Sequence, residues 1–256
     1  MTSEEPLGSR VSAWWRRPET RGVALIWFVL TVLLVFFGFV PARIMGAPAS
    51  PTKRAVEDTM TVFSVAAAPV AALVWAIAIY SLIKWRHRGT GPPAEEGPAI
   101  RNNGPGTTLW LVLSSVLCAF LLIWGLAEME SVAAPASAAD PLVVNVTGQQ
   151  WVWSFSYPKD GNVESDQLYL PVNRPVVFHV TSDDVIHSFW VVQFGIKVDA
   201  NPGEMTETSA IPDKLGRFDI RCAELCGLLH ADMETSAHVV TPADFTAWIK
   251  ANGGHS

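Results

Sequence analysis

The chain has 256 residues, half of them hydrophobic, and a formal net charge of −6 at pH 7. Residues 1–139 contain eleven basic and nine acidic residues (net +2), whereas residues 140–256 contain seven basic and fifteen acidic residues (net −8). An acidic domain repels nucleic acid and attracts basic proteins, so the composition excludes nucleic-acid binding and is compatible with a basic protein partner.

Three stretches in the first half contain no charged residue: residues 22–42, 59–83 and 107–127. Each is long enough to cross a hydrocarbon core of ~30 Å as a helix, which takes about 20 residues. The second and third stretches predict a transmembrane helical hairpin. The first stretch predicts either an extra N-terminal transmembrane helix or a signal segment, with Arg16 and Arg17 as the basic region and residues 47–49 as the cleavage site.

Charges beside these stretches predict the membrane topology. Four arginines precede the first stretch and four Lys or Arg residues lie between the second and third, but only three lie between the first and second. No Lys or Arg occurs between residues 128 and 158. Since cytoplasmic loops carry the excess of Lys and Arg, the N-terminus and the connection 84–106 are predicted to be cytoplasmic. The C-terminal half is then predicted to lie on the periplasmic or equivalent outer side.

The sequence divides into four predicted parts. Residues 1–49 hold the cytoplasmic N-terminus and the first hydrophobic segment, 50–130 the hairpin, 131–140 a linker of small residues, and 141–256 a polar domain. In this domain, β-branched or alternating runs at 142–146, 151–157, 176–180 and 189–194 predict strands separated by Pro and Gly. A helix is predicted over Pro242–Ala251 with Thr241 as its N-cap. Together these signals predict an all-β sandwich or barrel.

Residues 222–233 carry the strongest chemical signal. Cys222, Cys226, His230 and Met233 are spaced four, four and three residues apart. Thiolate, imidazole and thioether are soft or borderline ligands, which copper prefers over magnesium or calcium. Because two adjacent thiolates can bridge a pair of ions, the pattern predicts a site for two copper ions.

Three other interpretations of this loop remain open from the pattern. The cysteines could form a short disulfide in an oxidising compartment, but neither His230 nor Met233 is needed for one. A structural zinc site favours closed Cys/His tetrahedra and does not normally use Met. A single blue copper needs one Cys, two His and an axial Met, so it leaves the second Cys unexplained.

A two-copper site needs another strong ligand beyond the loop, and His187 is the candidate. It lies 35 residues before Cys222, a gap of about two strands and a turn. His179 is the competitor, but it sits inside the apolar run 176–180, so we interpret it as a core or edge residue.

At this point the sequence resembles subunit II of the haem-copper cytochrome c oxidases. The residues that carry the resemblance are the loop 222–233 and the blocks 148–157, 184–188 and 195–203, and it extends from about residue 59 to the end. The resemblance implies a cupredoxin-like barrel with a binuclear copper centre called CuA. In that centre both cysteines would bridge the coppers and His187 and His230 would each bind one. Met233 and the main-chain carbonyl of Glu224 would be the weak ligands.

The resemblance also implies the function. The chain would accept electrons from cytochrome c through Trp151 and pass them to the haem of subunit I for oxygen reduction, as one subunit of an oxidoreductase and translocase in a bacterial cell membrane. Haem would occur only in the partner subunit, and further oxidase subunits are implied. The Glu224 side chain would contribute to a magnesium site at the boundary with subunit I. Trp153 competes with Trp151, because residues two apart in a strand share a face.

Two features depart from the family's pattern. The family usually has two membrane helices, whereas this chain offers a third at the front. Many members also have a Glu shortly before a Trp at the start of the hairpin's second helix, but here Thr107 and Thr108 precede Trp110. A role of this chain in proton uptake is therefore not implied.

Other protein classes share parts of this pattern. The CuA subunit of a nitric oxide reductase complex has the same chemistry, and only the partner subunit distinguishes it. Nitrous oxide reductase would place a large propeller domain before the copper domain. A quinol-oxidase subunit would lack the thiols. A membrane-anchored copper chaperone or thiol oxidoreductase uses a cysteine pair with one distant His, which His230 and Met233 argue against.

Overall fold

In the computed structural model, residues 17–40, 44–84, 103–133 and 140–255 are described, together with residues 86, 89 and 91. The chain forms two compact units: unit 1 contains residues 1–41 and 60–123, and unit 2 contains residues 42–59 and 124–256. The N-terminal arginines up to Arg16, most of the predicted connection 84–106 and residues 134–139 of the predicted linker lie outside the described residues.

Three helices in the described part are long and apolar enough to cross a membrane. They are α1 (Pro18–Gly38), α2 (Pro51–Lys84) and α3 (Gly104–Ala133). All three predicted apolar segments are therefore confirmed as helices. The observed α1 and α2 begin four and eight residues earlier than the apolar stretches, because charged residues such as Glu19 and Lys53 are accepted in their first turns. Helix α3 extends three residues into the predicted linker.

In unit 1, α1 packs closely on α2. The Trp27 indole N–H donates to the Pro69 carbonyl at 2.8 Å, and a Cβ added to Gly38 would lie 3.0 Å from Ser64 Cβ. Small residues let two helix backbones approach each other where the hydrophobic effect does not drive them together. The first segment therefore has the packing of an integral helix in this unit, while its cleavage stays an open prediction.

Unit 2 contains a two-sheet β domain. Its strands are β1 (Leu142–Gln149), β2 (Val152–Tyr157), β3 (Val163–Ser165), β4 (Leu168–Pro171), β5 (Val176–Ser182), β6 (His187–Val191), β7 (Ile196–Ala200), β8 (Thr206–Ala210), β9 (Gly216–Cys222) and β10 (Glu234–Val240). One sheet has the order β3-β2-β1-β5-β8 and the other β4-β10-β9-β6-β7. The predicted all-β sandwich or barrel is confirmed.

The inward faces of the two sheets form the core. Strand β1 alternates buried and partly exposed residues over most of its length, the period-two pattern of a half-buried strand. Its buried side chains lie in the same core cluster as Phe155, Phe178 and Phe189. The ring centroid of Phe189 lies 6.2 Å from that of Phe155 and 5.6 Å from that of Phe178. Such aromatic contacts add about 0.5–1.5 kcal/mol each beyond the burial of their area.

The C-terminal helix α4 (Pro242–Ala251) is confirmed with its predicted cap. The Asp244 backbone N–H donates to Thr241 Oγ1 at 3.2 Å, and Pro242 occupies a first-turn position where its missing N–H does no harm. Phe245 and Ile249 are buried on the β domain. The predicted strand 189–194 was wrong at its end, because β6 stops at Val191 and residues Val192–Phe194 form a 3₁₀ turn.

Residues 44–59, which we call the anchor segment, belong to unit 2 and not to unit 1. The Ala49 N–H donates to the Gln193 carbonyl at 2.9 Å, and the Ala49 carbonyl accepts from the Asp213 N–H at 3.0 Å. Ser50 Oγ donates to the Phe194 carbonyl and accepts from the Lys53 N–H, so it caps α2 while holding the β domain. The hydropathy of the sequence did not predict this contact, because the anchor segment contains four charged residues and precedes the apolar part of α2.

Candidate metal centre

The metal loop, residues 222–233, joins the end of β9 to the start of β10. Its base is closed by the Cys222 N–H, which donates to the Met233 carbonyl at 3.1 Å. Strand β6 pairs with β9 so that Phe189 lies opposite Cys222, and the Ala223 N–H donates to the Ser188 carbonyl at 2.9 Å. This pairing brings the first residue of β6, His187, beside the loop.

Two free thiols and an imidazole form the centre of the cluster. The sulfur atoms of Cys222 and Cys226 lie 3.8 Å apart, well beyond the ~2.05 Å of a disulfide bond. His187 Nδ1 lies 3.8 Å from the Cys222 sulfur. The potential ligand atoms of these three residues all lie within 4.8 Å of one another, and all three residues are buried. The structure thus brings together the two parts of the predicted ligand set.

Three further predicted donors surround the same sulfur pair. His230 Nδ1 lies 3.6 Å from the Cys226 sulfur, and Met233 Sδ lies 3.8 Å from it. The main-chain carbonyl oxygen of Glu224 lies 3.2 Å from the Cys222 sulfur. Met233 is fully buried, whereas His230 is partly buried. Six donors exceed the four that a tetrahedral zinc ion takes, and thiolate, imidazole and thioether are the set that copper favours.

The His187 ring is held on its far side by a carboxylate. Its Nε2 lies 2.9 Å from Asp184 Oδ1, which leaves Nδ1 to face the Cys222 sulfur. The ring is completely buried and stands edge-on to Trp153, with centroids 5.9 Å apart. A Cβ at Gly148 would lie 3.0 Å from the ring, so a side chain there would displace it. Metal-binding histidines are typically oriented through their second nitrogen in this way.

Asp184 is fixed as an anion by several donors. Burial opposes its ionisation, but hydrogen bonds from two backbone N–H groups and from the His187 ring outweigh it and lower the pKa of this carboxyl to about 2. One of the backbone donors is Gln150, at 2.8 Å. The carboxylate therefore stays charged at neutral pH and keeps the His187 ring in one orientation.

His179 does not reach the cluster. It lies on β5 opposite Glu207 of β8, and its Nε2 is 3.6 Å from the Glu207 carboxylate. Among the described residues, the structure brings His187, and not His179, beside the two thiols, while the ligand role of His187 stays a prediction.

The two candidate tryptophans differ in position. Trp153 is 2% exposed and packs on the rings of His187 and Phe189. Trp151 is partly exposed and lies in the turn before β2, so the rule that residues two apart share a face does not apply. A Cβ at Gly227 would lie 3.4 Å from the Trp151 ring, which places that ring against the metal loop. Trp151, and not Trp153, thus links the loop with the surface.

The side chain of Glu224 is exposed while its carbonyl faces Cys222. Among the described residues, the group formed by His187, Cys222 and Cys226 is the one set of three ligating side chains that lie together. The magnesium role of Glu224 stays a prediction, and an exposed carboxylate is what a site completed by another subunit would use.

Gln150 is a residue whose role the sequence did not predict. Its side-chain amide donates to the Cys226 carbonyl at 2.7 Å, and its backbone N–H holds Asp184. No local sequence signal distinguishes it from Gln149, because the contact joins residues 76 positions apart.

Metal binding at this cluster is expected to strengthen as the pH rises. Burial and the neighbouring Cys222 thiol raise the pKa of the Cys226 thiol to about 11, so that thiol keeps its proton at neutral pH. A thiolate ligand must release this proton. Between pH values of about 7 and 8.5, the apparent copper affinity should therefore rise about tenfold or more per pH unit. Competition titrations with a chelator of known affinity would measure it, and a pH-independent affinity would contradict ligation by Cys226.

Comparisons with known proteins agree on one family. The family model for "Cytochrome C oxidase subunit II, periplasmic domain" matches residues 162–240. Cytochrome c oxidase subunit 2 of Thermostichus vulcanus is 46% identical over 114 residues, which are 44% of this chain and 34% of that protein. The match thus spans about a third of that relative's length.

Two further comparisons cover more of the proteins matched. The probable cytochrome c oxidase subunit 2 of Streptomyces avermitilis is 30% identical over 227 residues, covering 70% of this chain and 71% of that protein. The crystal structure of the periplasmic domain of subunit II of cytochrome oxidase of Bradyrhizobium japonicum is 35% identical, with a TM-score of 0.42, and the match covers 43% of this chain and 92% of that one.

The family match agrees with the expected fold class, apolar N-terminal helices followed by a cupredoxin-like β domain. Proteins of this name are subunits of an oxidoreductase complex. The matched range 162–240 contains His187 and the whole metal loop. Because the chain covers more than two thirds of a relative with which it shares 30% identity, it belongs to the cytochrome c oxidase subunit II family.

Proposed function

We propose that this chain is the electron-accepting subunit of a respiratory haem-copper oxidase. It takes electrons from cytochrome c or a similar donor at a CuA centre and passes them to the haem of subunit I, where oxygen is reduced. The observation that supports this proposal is the convergence of five soft or borderline donors and one main-chain carbonyl, with neighbouring donor atoms 3.2–3.8 Å apart. When bound there, copper would supply one-electron redox chemistry.

Each donor has a proposed place in the centre. Cys222 and Cys226 would both hold the copper pair, since their sulfur atoms are adjacent and free. His187 would bind from the Cys222 side and His230 from the Cys226 side. Met233 would be a weak ligand near Cys226, and the carbonyl of Glu224 a weak ligand near Cys222.

The protein keeps these ligands in place during electron transfer. They come from β6, from the end of β9 and from a loop whose base is closed by the Cys222–Met233 hydrogen bond. Asp184 holds the His187 ring from behind. Ligands held by strands and by such outer hydrogen bonds cannot relax far when the charge of the site changes. The same hydrogen bonds tune the reduction potential of the site.

Trp151 is the proposed point of electron uptake, and its replacement tests the proposed function. In the oxidase complex, Trp151→Phe should slow electron uptake from reduced cytochrome c by about tenfold or more, equivalent to roughly 1.4 kcal/mol of barrier. The reason is that the ring packs on the metal loop and also reaches the surface. Stopped-flow spectroscopy would measure the rate, while the copper content of two per chain should not change.

Trp190→Phe is the matched control, because Trp190 is a partly exposed tryptophan on β6. Its rate should stay at that of the wild-type complex. Equal rates in the Trp151 variant and the wild type would move electron uptake to another residue. Absence of copper from the wild-type chain after copper loading would overturn the proposed function itself.

The proposed partners follow from the same reasoning. Subunit I receives the electrons and holds the haem, further oxidase subunits complete the complex, and the exposed Glu224 carboxylate contributes to a magnesium site at the subunit I boundary. The three apolar helices support anchoring as a multi-pass protein in a bacterial cell membrane. The acidic copper domain lies on the outer side, where its net charge of −8 over residues 140–256 attracts a basic donor.

No contact among the described residues favours the alternative functions. A copper chaperone or thiol oxidoreductase needs an accessible thiol pair, but Cys222 and Cys226 are 9% and 4% exposed. His230 and Met233 also lie within 3.8 Å of Cys226. A nitric oxide reductase complex would use the same subunit chemistry, and turnover of the purified complex with oxygen or nitric oxide distinguishes the two.

A further inference from the structure

Gln150 contacts both parts of the proposed copper centre, which lie far apart in the sequence. Its backbone N–H donates to Asp184 Oδ2 at 2.8 Å, and Asp184 in turn binds the His187 ring. Its side-chain amide donates to the carbonyl of Cys226 at 2.7 Å. We propose that Gln150 is a positioning residue that fixes the peptide between Cys226 and Gly227 and thereby sets the environment of the Cys226 thiolate. This inference rests on the proposed function as a copper site.

The peptide plane between Cys226 and Gly227 could flip at little cost in backbone strain. Rotation of a peptide plane changes ψ of the preceding residue and φ of the following one, and glycine accepts φ values of either sign. Gly227 has a φ of +126°, a conformation that other residues rarely adopt. The backbone by itself therefore does not select one orientation. The hydrogen bond from Gln150 does, because only one orientation points the Cys226 carbonyl at the amide.

Close packing restricts the same peptide from outside. A Cβ at Gly227 would lie 3.0 Å from Gln150 Nε2 and 3.4 Å from the Trp151 ring. The turn at residues 150–151 therefore covers the loop at Gly227. On the other side of that residue, the Gly227 carbonyl accepts from the His230 N–H at 3.3 Å. Gln150 and His230 thus hold consecutive peptides of the loop.

The orientation of this peptide matters to the sulfur beside it. A peptide carries a dipole, and dipoles around a cysteine sulfur tune both the stability of its thiolate and the potential of a bound copper. The Cys226 sulfur has the His230 and Met233 donors at 3.6 and 3.8 Å. A turned peptide would move the Cys226 Cβ and change these distances. Gln150 therefore acts on the centre through Cys226, without being a ligand.

The test compares Gln150→Leu, which keeps the size but lacks the donor, with Gln149→Leu in the full-length protein. The neighbouring Gln149 is also exposed. Gln150→Glu is the second variant, because its carboxylate has the same length and cannot donate to a carbonyl. Each protein is purified in detergent and studied both metal-free and after loading with copper.

Relative to the wild type, two readouts are expected to change in both Gln150 variants and to stay the same in the Gln149 variant. Removal of copper by a chelator should become about tenfold faster, as expected for loss of an outer hydrogen bond, and the copper–thiolate absorption spectrum should shift. In the metal-free protein, alkylation of Cys226, resolved from Cys118 and Cys222 by mass spectrometry, should become about threefold faster.

Unchanged rates and spectra in both Gln150 variants would overturn the inference and leave the copper centre standing. If the wild type binds no copper, the proposed function fails, and the alkylation rates still decide whether Gln150 positions the loop. If Gln150→Leu does not fold, Gln150→Glu decides. Failure of both variants to fold would also overturn the inference, since it would assign Gln150 to the fold and not to the loop.

Discussion

Replacing Cys222 or Cys226 by Ser is expected to lower the copper content of the chain from two ions to one or none. Both sulfur atoms face the same space, 3.8 Å apart, and each is next to a different imidazole. A serine hydroxyl keeps its proton at neutral pH and is a hard donor, so it cannot bridge two copper ions as a thiolate can. The loss of copper affinity should exceed the 10- to 100-fold weakening that is typical when a hydrogen-bond partner of a metal ligand is replaced.

The measurement is a copper-to-protein ratio after loading and removal of excess metal, combined with an electron paramagnetic resonance spectrum. Cys118→Ser is the matched control, because Cys118 is an exposed free cysteine of α3. It should retain both the copper content and the spectrum of the wild type. Two ions bound by either loop variant, with an unaltered spectrum, would contradict bridging by the cysteines.

Gly195→Ala should destabilise unit 2 by about 2–4 kcal/mol, the sum of a left-handed conformation and an overlap in a packed region. Gly195 has a φ of +69°, and an added Cβ would lie 2.7 Å from Lys53 Cα and 3.0 Å from Lys53 N. Both of those atoms are backbone of the anchor segment and cannot swing aside. The segment would have to leave the β domain, with loss of the Ala49 and Ser50 hydrogen bonds.

Gly203→Ala is the matched control for this effect. Gly203 also has a positive φ, +77°, but an added Cβ meets nothing within 4 Å. It should therefore show only the conformational part, about 1–2 kcal/mol. Denaturant unfolding of the full-length protein, followed by circular dichroism, compares the two. Equal losses of stability would show that the anchor segment does not pack against Gly195.

The anchor segment also shows where the β domain begins. The sequence alone placed this domain at residues 141–256. In the structure Ala49 belongs to the hydrophobic core of the β domain, and Lys53 is 2% exposed and lies 3.4 Å from Glu57. A fragment that starts at residue 140 lacks these contacts. We therefore expect such a fragment to be less stable than unit 2 in the full chain.

Several elements could be predicted because their signal is local. The three apolar helices follow from length and hydropathy, and the capped helix α4 follows from Thr241 and Pro242. Strands β1, β2, β5 and β6 follow from apolar or alternating runs. Strands β3, β4, β7, β8 and β9 were not among the predicted runs. Strands β8 and β9 are rich in polar residues and have few buried positions, and β3 and β4 have only three and four residues. Strand β8 lies at the edge of its sheet and β9 in the middle of the other, and both form without an apolar run because a strand needs only some of its side chains to be buried.

The sequence by itself determined that two thiols, an imidazole and a thioether lie near one another, because Cys222, Cys226, His230 and Met233 lie on one short loop, where spacing alone limits how far apart they can be. It also pointed to His187, but only the pairing of β6 with β9 brought that residue beside the thiols. The tertiary structure alone decided that Trp151 reaches the surface, that Gln150 holds Cys226, and that Gly195 seats the anchor segment. These contacts join residues far apart in the chain, and a local sequence pattern does not predict which distant backbone a side chain will contact.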